Sequence, residues 1–230
     1  MGVGHVALAL GASKAAPRVN VGWLVFAAIL SDFLLGIFAA LGLEHSTPPP
    51  DYADRHYLLF TFPYSHGLTA MLLWAATLAF LVARVYRSDT KRIFIVVGLV
   101  VLSHFLLDGL VHVAGLPLIG QDSPKLGLGL WKYLPLELSI ETLMSVVGFI
   151  VYWRLPSSSK SAFGRYGMAI FLVLVTVMTW SQLLATVPPS PQQLTVSWIV
   201  VPPIFGAIAY VLDRKRAREV AATKQMVPKP

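Results

Sequence analysis

Three ionisable residues, His104, Asp108 and His112, recur at intervals of four within the apolar run Ile93–Gly115 (IFIVVGLVVLSHFLLDGLVHVAG). Four residues make one helical turn plus about 40°, so these side chains form a slowly drifting ladder on one helix face. Polar groups inside such a segment are costly and face a bundle interior or a wet cavity, which makes them candidates for function. A histidine and a carboxylate one turn apart can hold one metal ion together. A second pair with the same spacing, Glu137 and Glu141, opens a later apolar run, and two single residues, Asp32 and His66, lie in two others. Imidazole and carboxylate donors suit zinc, with manganese or iron as alternatives, and the chain has no cysteine to offer thiolates. On the residues alone, His104/Asp108 and Glu137/Glu141 are two ligand pairs, with Asp32 and His66 completing a shell. Such an ion can activate water and polarise a phosphoryl or carbonyl oxygen.

These residues need elements that bring them together. The 230-residue chain is 56% hydrophobic and only 13% charged, with a mean hydropathy of +0.70. Soluble domains carry about 25% charged residues, so the expectation is a polytopic membrane protein. Six runs are long enough to span, at roughly 20–42, 64–84, 93–114, 131–153, 166–187 and 194–212. The shorter apolar stretch Gly2–Ala12 has no basic leader and reads as a short, buried or re-entrant N-terminal helix. The fold expected is therefore an all-α bundle of six transmembrane helices plus that short helix, as one membrane domain over 1–212. Residues 213–230 read as a basic, disordered cytoplasmic tail. Pro202-Pro203 should kink the last span.

The net charge of +7 does not point to nucleic acid, because the basic residues sit in short loops and the tail. Lys14 and Arg18, then Arg84, Arg87, Lys91 and Arg92, then Arg154, Lys160 and Arg165 fill alternate loops, and the tail adds Arg214, Lys215, Arg216 and Arg218. The positive-inside rule makes all of these cytoplasmic, with the C-terminus inside. Asp32, His66, the ladder and the glutamate pair then fall in the middle or outer half of the membrane. The partners implied are membrane lipids, including a lipid substrate.

Bland readings stand beside these. His104 and Asp108 could be a pair that only fixes helix packing, and Ser65 with His66 could simply cap a helix start. Glu137 could reach the interface and pair with Lys132. Glu44, His45, Asp51, Asp54 and His56 lie in a loop where charge needs no function. Trp131, Tyr133, Tyr152 and Trp153 read as interfacial belt residues.

Ordered motifs carry a resemblance. Gly4-His5, Asp32, Ser65-His66-Gly67 and Ser103-His104-Phe105-Leu106-Leu107-Asp108 are similar to those of bacterial membrane-bound metal-dependent hydrolases, the LexA-binding inner-membrane-associated type included. Gly42-Leu43-Glu44-His45, Pro63-Tyr64-Ser65-His66 and Gly127-Leu128-Gly129-Leu130-Trp131 resemble an uncharacterised bacterial subgroup. The likeness covers about the first 150 residues. It implies an inner-membrane hydrolase with His5, Asp32, His66, His104 and Asp108 as metal ligands. Glu141, Glu137 or His112 would then supply a further ligand or a general base. The chain departs from the commoner pattern around Asp32, where a second Asp and a His follow shortly after and this sequence reads Ser31-Asp32-Phe33-Leu34. In ligand order alone, zinc-dependent phospholipases C are a looser likeness. The depth of the residues favours an amphiphile as substrate, and for a hydrolase of this kind the bond expected is a phosphoester or a related one. A proton- or cation-coupled transporter using the same cluster is the alternative, although neither repeats nor broken helices stand out.

Overall fold

The computed structural model describes residues 2–87, 89–155 and 162–225. It is an all-α bundle with two very short hairpins. Among the described residues, five helices are long and apolar enough to cross a membrane: α5 (Leu68–Tyr86), α6 (Thr90–Val111), α7 (Leu134–Trp153), α8 (Ala162–Trp180) and α9 (Pro191–Gln225). Two half-helices, α2 (Val21–Ala28) and α3 (Leu30–Ala40), bent by 52° at Ile29, are together long and apolar enough for a sixth. Leu72, Leu73, Phe80, Leu99, Leu143, Val147, Leu174 and Ile204 are all exposed. So broad an apolar exterior, with the polar groups inside, suits lipid as solvent and makes this an integral membrane protein.

The first helix, α1 (Val3–Ala12), has ten residues and is about 15 Å long, half of a hydrocarbon core. It is buried, packed chiefly on α7 and α2 and also on α6 and α8. Its approach to α7 depends on Gly148, where a Cβ would collide with the Ala7 backbone carbonyl. Small residues permit this kind of backbone contact between membrane helices. Gly148→Val should therefore push α1 off α7 and cost about 1–3 kcal/mol. The check is thermal unfolding in detergent, with no loss in Gly11→Ala, where a Cβ meets open space.

The last helix does not stop at residue 212. It runs unbroken through Pro202-Pro203 to Gln225, and Asp213 and Arg216 are buried. The Arg216 guanidinium donates to Asp213 (2.5 and 2.6 Å) and to the carbonyls of Pro17 and Val19. Asp213 in turn accepts from the Val21 N–H and the Tyr152 hydroxyl. The expected boundary at 213 thus falls inside a packed helix, and Tyr152 is a core residue rather than part of an interfacial belt. Residues 226–230 of the expected tail lie outside the described residues.

The loops at the opposite end are folded down onto the bundle. Strands β1 (His45–Thr47) and β2 (Leu59–Thr61) pair antiparallel around the short helix α4 (Tyr52–Arg55). Strands β3 (Leu116–Pro117) and β4 (Lys125–Leu126) pair likewise. The following Gly127-Leu128-Gly129 strap crosses the end of α6. There the Leu128 and Gly129 N–H groups donate to the carbonyls of Gly109 and His112, two acceptors that a helix end leaves open. Gly127 (φ 153°) lies so close to the His112 carbonyl that a side chain would not fit.

Candidate metal centre

Four separate elements deliver the expected ligands to one place. His104 and Asp108 face inward from the second half of α6, both buried. His5 comes from α1 and stacks on His104, ring centroids 3.9 Å apart and 5° from parallel. Asp32 lies in the first turn of α3, where the unpaired N–H groups of a helix start favour a carboxylate. His66 belongs to the turn before α5.

The bend at Ile29 builds part of this site. It leaves the Ala28 carbonyl near the end of α2, and that oxygen accepts from His104 Nδ1 at 2.7 Å. With Nδ1 as donor, neutral His104 presents its Nε2 lone pair inward, the arrangement of a metal-ligating histidine oriented by a partner behind it. His66 is held similarly by the Ser65 hydroxyl, 2.7 Å from Nδ1. Ser65 does not cap α5, whose N-cap is Gly67.

The inward-facing atoms are close. His104 Nε2 is 3.1 Å from His66 Nε2, 3.2 Å from Asp108 Oδ2 and 3.9 Å from Asp32 Oδ1. His66 Nε2 is 3.7 Å from Asp108 Oδ2 and 3.8 Å from Asp32 Oδ1. His5 Nε2 lies 3.2 Å from Asp108 Oδ1. Bonds of about 2.1 Å in a tetrahedral shell put ligand atoms roughly 3.4 Å apart, and these separations straddle that value. Two triplets have metal-site spacing, His5/His104/Asp108 and Asp32/His66/His104. They share His104, whose other nitrogen is occupied, so only one of the two can use it at a time. The donors fit a divalent ion, and all five expected ligands are brought together.

The residues expected to assist divide. His112 sits one residue past the end of α6, in extended conformation, and its Nε2 meets Asp108 Oδ2 at 3.3 Å. It supports a ligand, and the ladder therefore ends at the helix terminus. The Glu141 carboxylate accepts from the Gly2 and Gly4 N–H groups at 3.0 and 2.7 Å. That engagement docks the start of α1 next to His5. Glu137 is fully buried and neither oxygen meets a hydrogen-bond donor among the described residues. Lys132 is exposed, so the Glu137–Lys132 pairing is not formed. Glu137 stands instead against the Glu141 carboxyl.

The loops contribute more than their composition suggests. Phe62 stacks on His66 (4.5 Å), Trp131 lies on His112 (4.1 Å), and Phe60 touches His112 (5.3 Å), Trp131 and Trp198. These rings close the loop end of the site, and Trp131 is part of that lid rather than an interfacial anchor. Glu44 was expected to be a solvated loop residue. It is buried and accepts from the Tyr64 and Ser65 N–H groups at 2.7 and 2.9 Å, which fixes the turn carrying His66. The Pro-rich, polar composition of 43–63 gives no sign of this.

Burial pushes the Glu44 carboxyl above its ordinary range, partly opposed by those N–H donors. The folded state then binds the proton more tightly, so this contribution to stability is full below the unfolded pKa and fades as pH rises through the raised value. Glu44→Ala leaves two donors unpaired and should cost about 1–3 kcal/mol. Glu44→Gln keeps an acceptor and should retain most of that while flattening the pH dependence, read as melting temperature between pH 4 and 8. Equal losses in both variants would show that the carboxylate charge, not the hydrogen bonding, holds the turn. No protein-family model, curated protein or solved structure matches the chain.

Proposed function

We propose that the protein is a metal-dependent hydrolase acting on a phosphoester or related bond of a lipid or lipid-linked substrate. The observation that carries the reading is a buried cluster of three imidazoles and two carboxylates that contains two overlapping triplets with metal-site spacing, with His104 turned inward by the Ala28 carbonyl. His5, Asp32, His66, His104 and Asp108 are the ligands, and zinc is the metal their donor chemistry favours, with manganese second. When bound, the ion supplies Lewis acidity toward a phosphoryl oxygen and activation of water.

The protein's own groups complete the site. His112 holds one Asp108 oxygen and orients that carboxylate. Glu137, buried beside Glu141 with no hydrogen-bond donor among the described residues, is the carboxyl placed to carry a proton. Glu141 positions α1, and through it His5. The aromatic lid of Phe60, Phe62 and Trp131 keeps bulk water off the imidazoles. The resemblance to bacterial membrane-bound metal-dependent hydrolases supports this reading. The lysine and arginine distribution supports an inner-membrane location with the site toward the outer face and the C-terminus in the cytoplasm.

A transporter has one observation in its favour, the broken span α2–α3 with Asp32 at a half-helix start, a device of many carriers. Against it, Leu24 and Val25 of α2, Ala79 of α5 and Val97 and Val101 of α6, on the side of the cluster away from the loops, are buried and apolar, a poor lining for an ion path.

The test is metal content and phosphate release. Protein purified without chelator should carry about one zinc or manganese per chain and release phosphate from phosphatidic acid in mixed micelles, with both lost in His104→Ala. A folded, metal-free wild type that moves protons or cations across proteoliposomes would replace the hydrolase reading with transport.

A further inference from the structure

The cluster is closed on almost every side. Side-chain exposure is 1–6% for His5, His66, His104, Asp108 and His112, against 32% for Asp32. Asp32 is exposed to a crevice of about 240 Å³ between α8 and α9. Among the described residues, Asp32 alone of those lining it is charged. Its walls are Val175, Met178 and Thr179 on α8 and Ser197, Trp198, Val201 and Phe205 on α9, and its floor includes Val6 and Ile29.

The surroundings say what could fill this space. On either side of the mouth, Leu174, Val177 and Met178 of α8 and Val196, Val200 and Ile204 of α9 are exposed apolar side chains. The crevice is thus continuous with the surface turned to lipid. It is smaller than the roughly 300–1,000 Å³ that encloses a drug-sized ligand, but it suits a stretch of hydrocarbon chain. Along α9 the lining runs from Ser197 and Trp198 through Val201 and Pro202 to Phe205, with Asp32 as its carboxylate. An adjoining cavity lined by Trp131, Glu141 and Gln182 shares Gly2, Met178 and Thr179 with it, which gives the same route a polar end.

We infer that the α8–α9 crevice is an acyl-chain subsite and the lateral entrance to the metal centre, admitting a lipid from within the membrane with its chain against Phe205 and its polar end at Asp32. This rests on the hydrolase reading for the reaction, but not for the binding.

The test uses wild-type protein in phosphatidylcholine vesicles containing phosphatidic acid with a diazirine at the end of one acyl chain. After illumination, adducts are mapped by peptide mass spectrometry. Adducts on Phe205, Ile29 and Val6, of which the last two are buried, should exceed those on exposed Leu72 and Leu73 of α5 at least fivefold. Ser197→Trp, which plugs the mouth, should cut the crevice adducts at least fivefold at unchanged metal content, and Met178→Trp serves if that variant does not fold. Adducts spread evenly over the lipid-facing helices would overturn the subsite while leaving metal content and phosphate release to stand. Crevice adducts in a protein that holds no metal and releases no phosphate would uphold the subsite and remove the hydrolase.

Discussion

Asp108→Ala should weaken metal binding at least about 100-fold, since changing even the partner of a ligand costs 10–100-fold. The reason is the crowding on this one carboxylate. Its two oxygens meet His5 at 3.2 Å, His104 at 3.2 Å and His112 at 3.3 Å, with His66 at 3.7 Å. Asp108 is thus the anion that allows four imidazoles to lie together away from water. Removing it also leaves the buried His112 ring without its acceptor, at about 1–3 kcal/mol. The measurement is metal retained after dialysis against graded chelator, alongside thermal unfolding with and without added zinc. Zinc should raise the wild-type melting temperature and leave that of Asp108→Ala nearly unchanged, because a ligand stabilises only the state that binds it. Leu106→Ala, on the same helix but exposed, is the control. Wild-type retention in Asp108→Ala would move the metal site elsewhere.

At the far end of the bundle, Asp213→Ala should cost about 3–5 kcal/mol, the usual result of stripping the partner from a buried ion. Arg216 would remain buried with its charge, and the Val21 N–H and Tyr152 hydroxyl would lose their acceptor. The Asp213→Ala, Arg216→Met double variant should recover most of the loss, since a buried pair replaced as a whole by apolar groups is often neutral. Asp51→Ala, which breaks an exposed pair with Arg55, should leave the melting temperature unchanged. If the double variant is no better than the single one, the hydrogen bonds to the Pro17 and Val19 carbonyls, rather than the charge balance, hold α9 against α2.

The metal centre shows which signals a linear reading catches. His104 and Asp108 stood out because a charged residue in an apolar run violates the cost of burial, and their interval of four already matched a helix. Asp32 and His66 were visible for the first reason alone. Glu44 was not visible, because a glutamate in a Pro-rich loop violates nothing; its burial arises only when the loop folds back on the Pro63–Gly67 turn. Glu141 is visible as an anomaly, but its partners are not. It docks α1 through two backbone N–H groups, and side-chain types alone carry no record of backbone donors.

The break at Ile29 had no signal either. No proline or glycine stands at residues 28–30, and the run from 20 to 42 reads as one continuous span. Arg216 was hidden by its company, since a basic stretch after the last apolar run normally marks a solvated, cytoplasmic end. Hydropathy measures transfer of each residue from water to lipid, and so it registers spans and intramembrane ionisable groups without reference to any neighbour. Sequence by itself therefore determined that this is a membrane bundle with an inward set of histidines and carboxylates. Tertiary structure decided that five of them gather in one cluster, that a bent helix aims His104, that aromatic loops close one side, and that Asp32 faces a lateral crevice. Those are properties of distance between segments far apart in the chain, set by helix packing through Gly148, the α2–α3 bend and the Asp213–Arg216 pair.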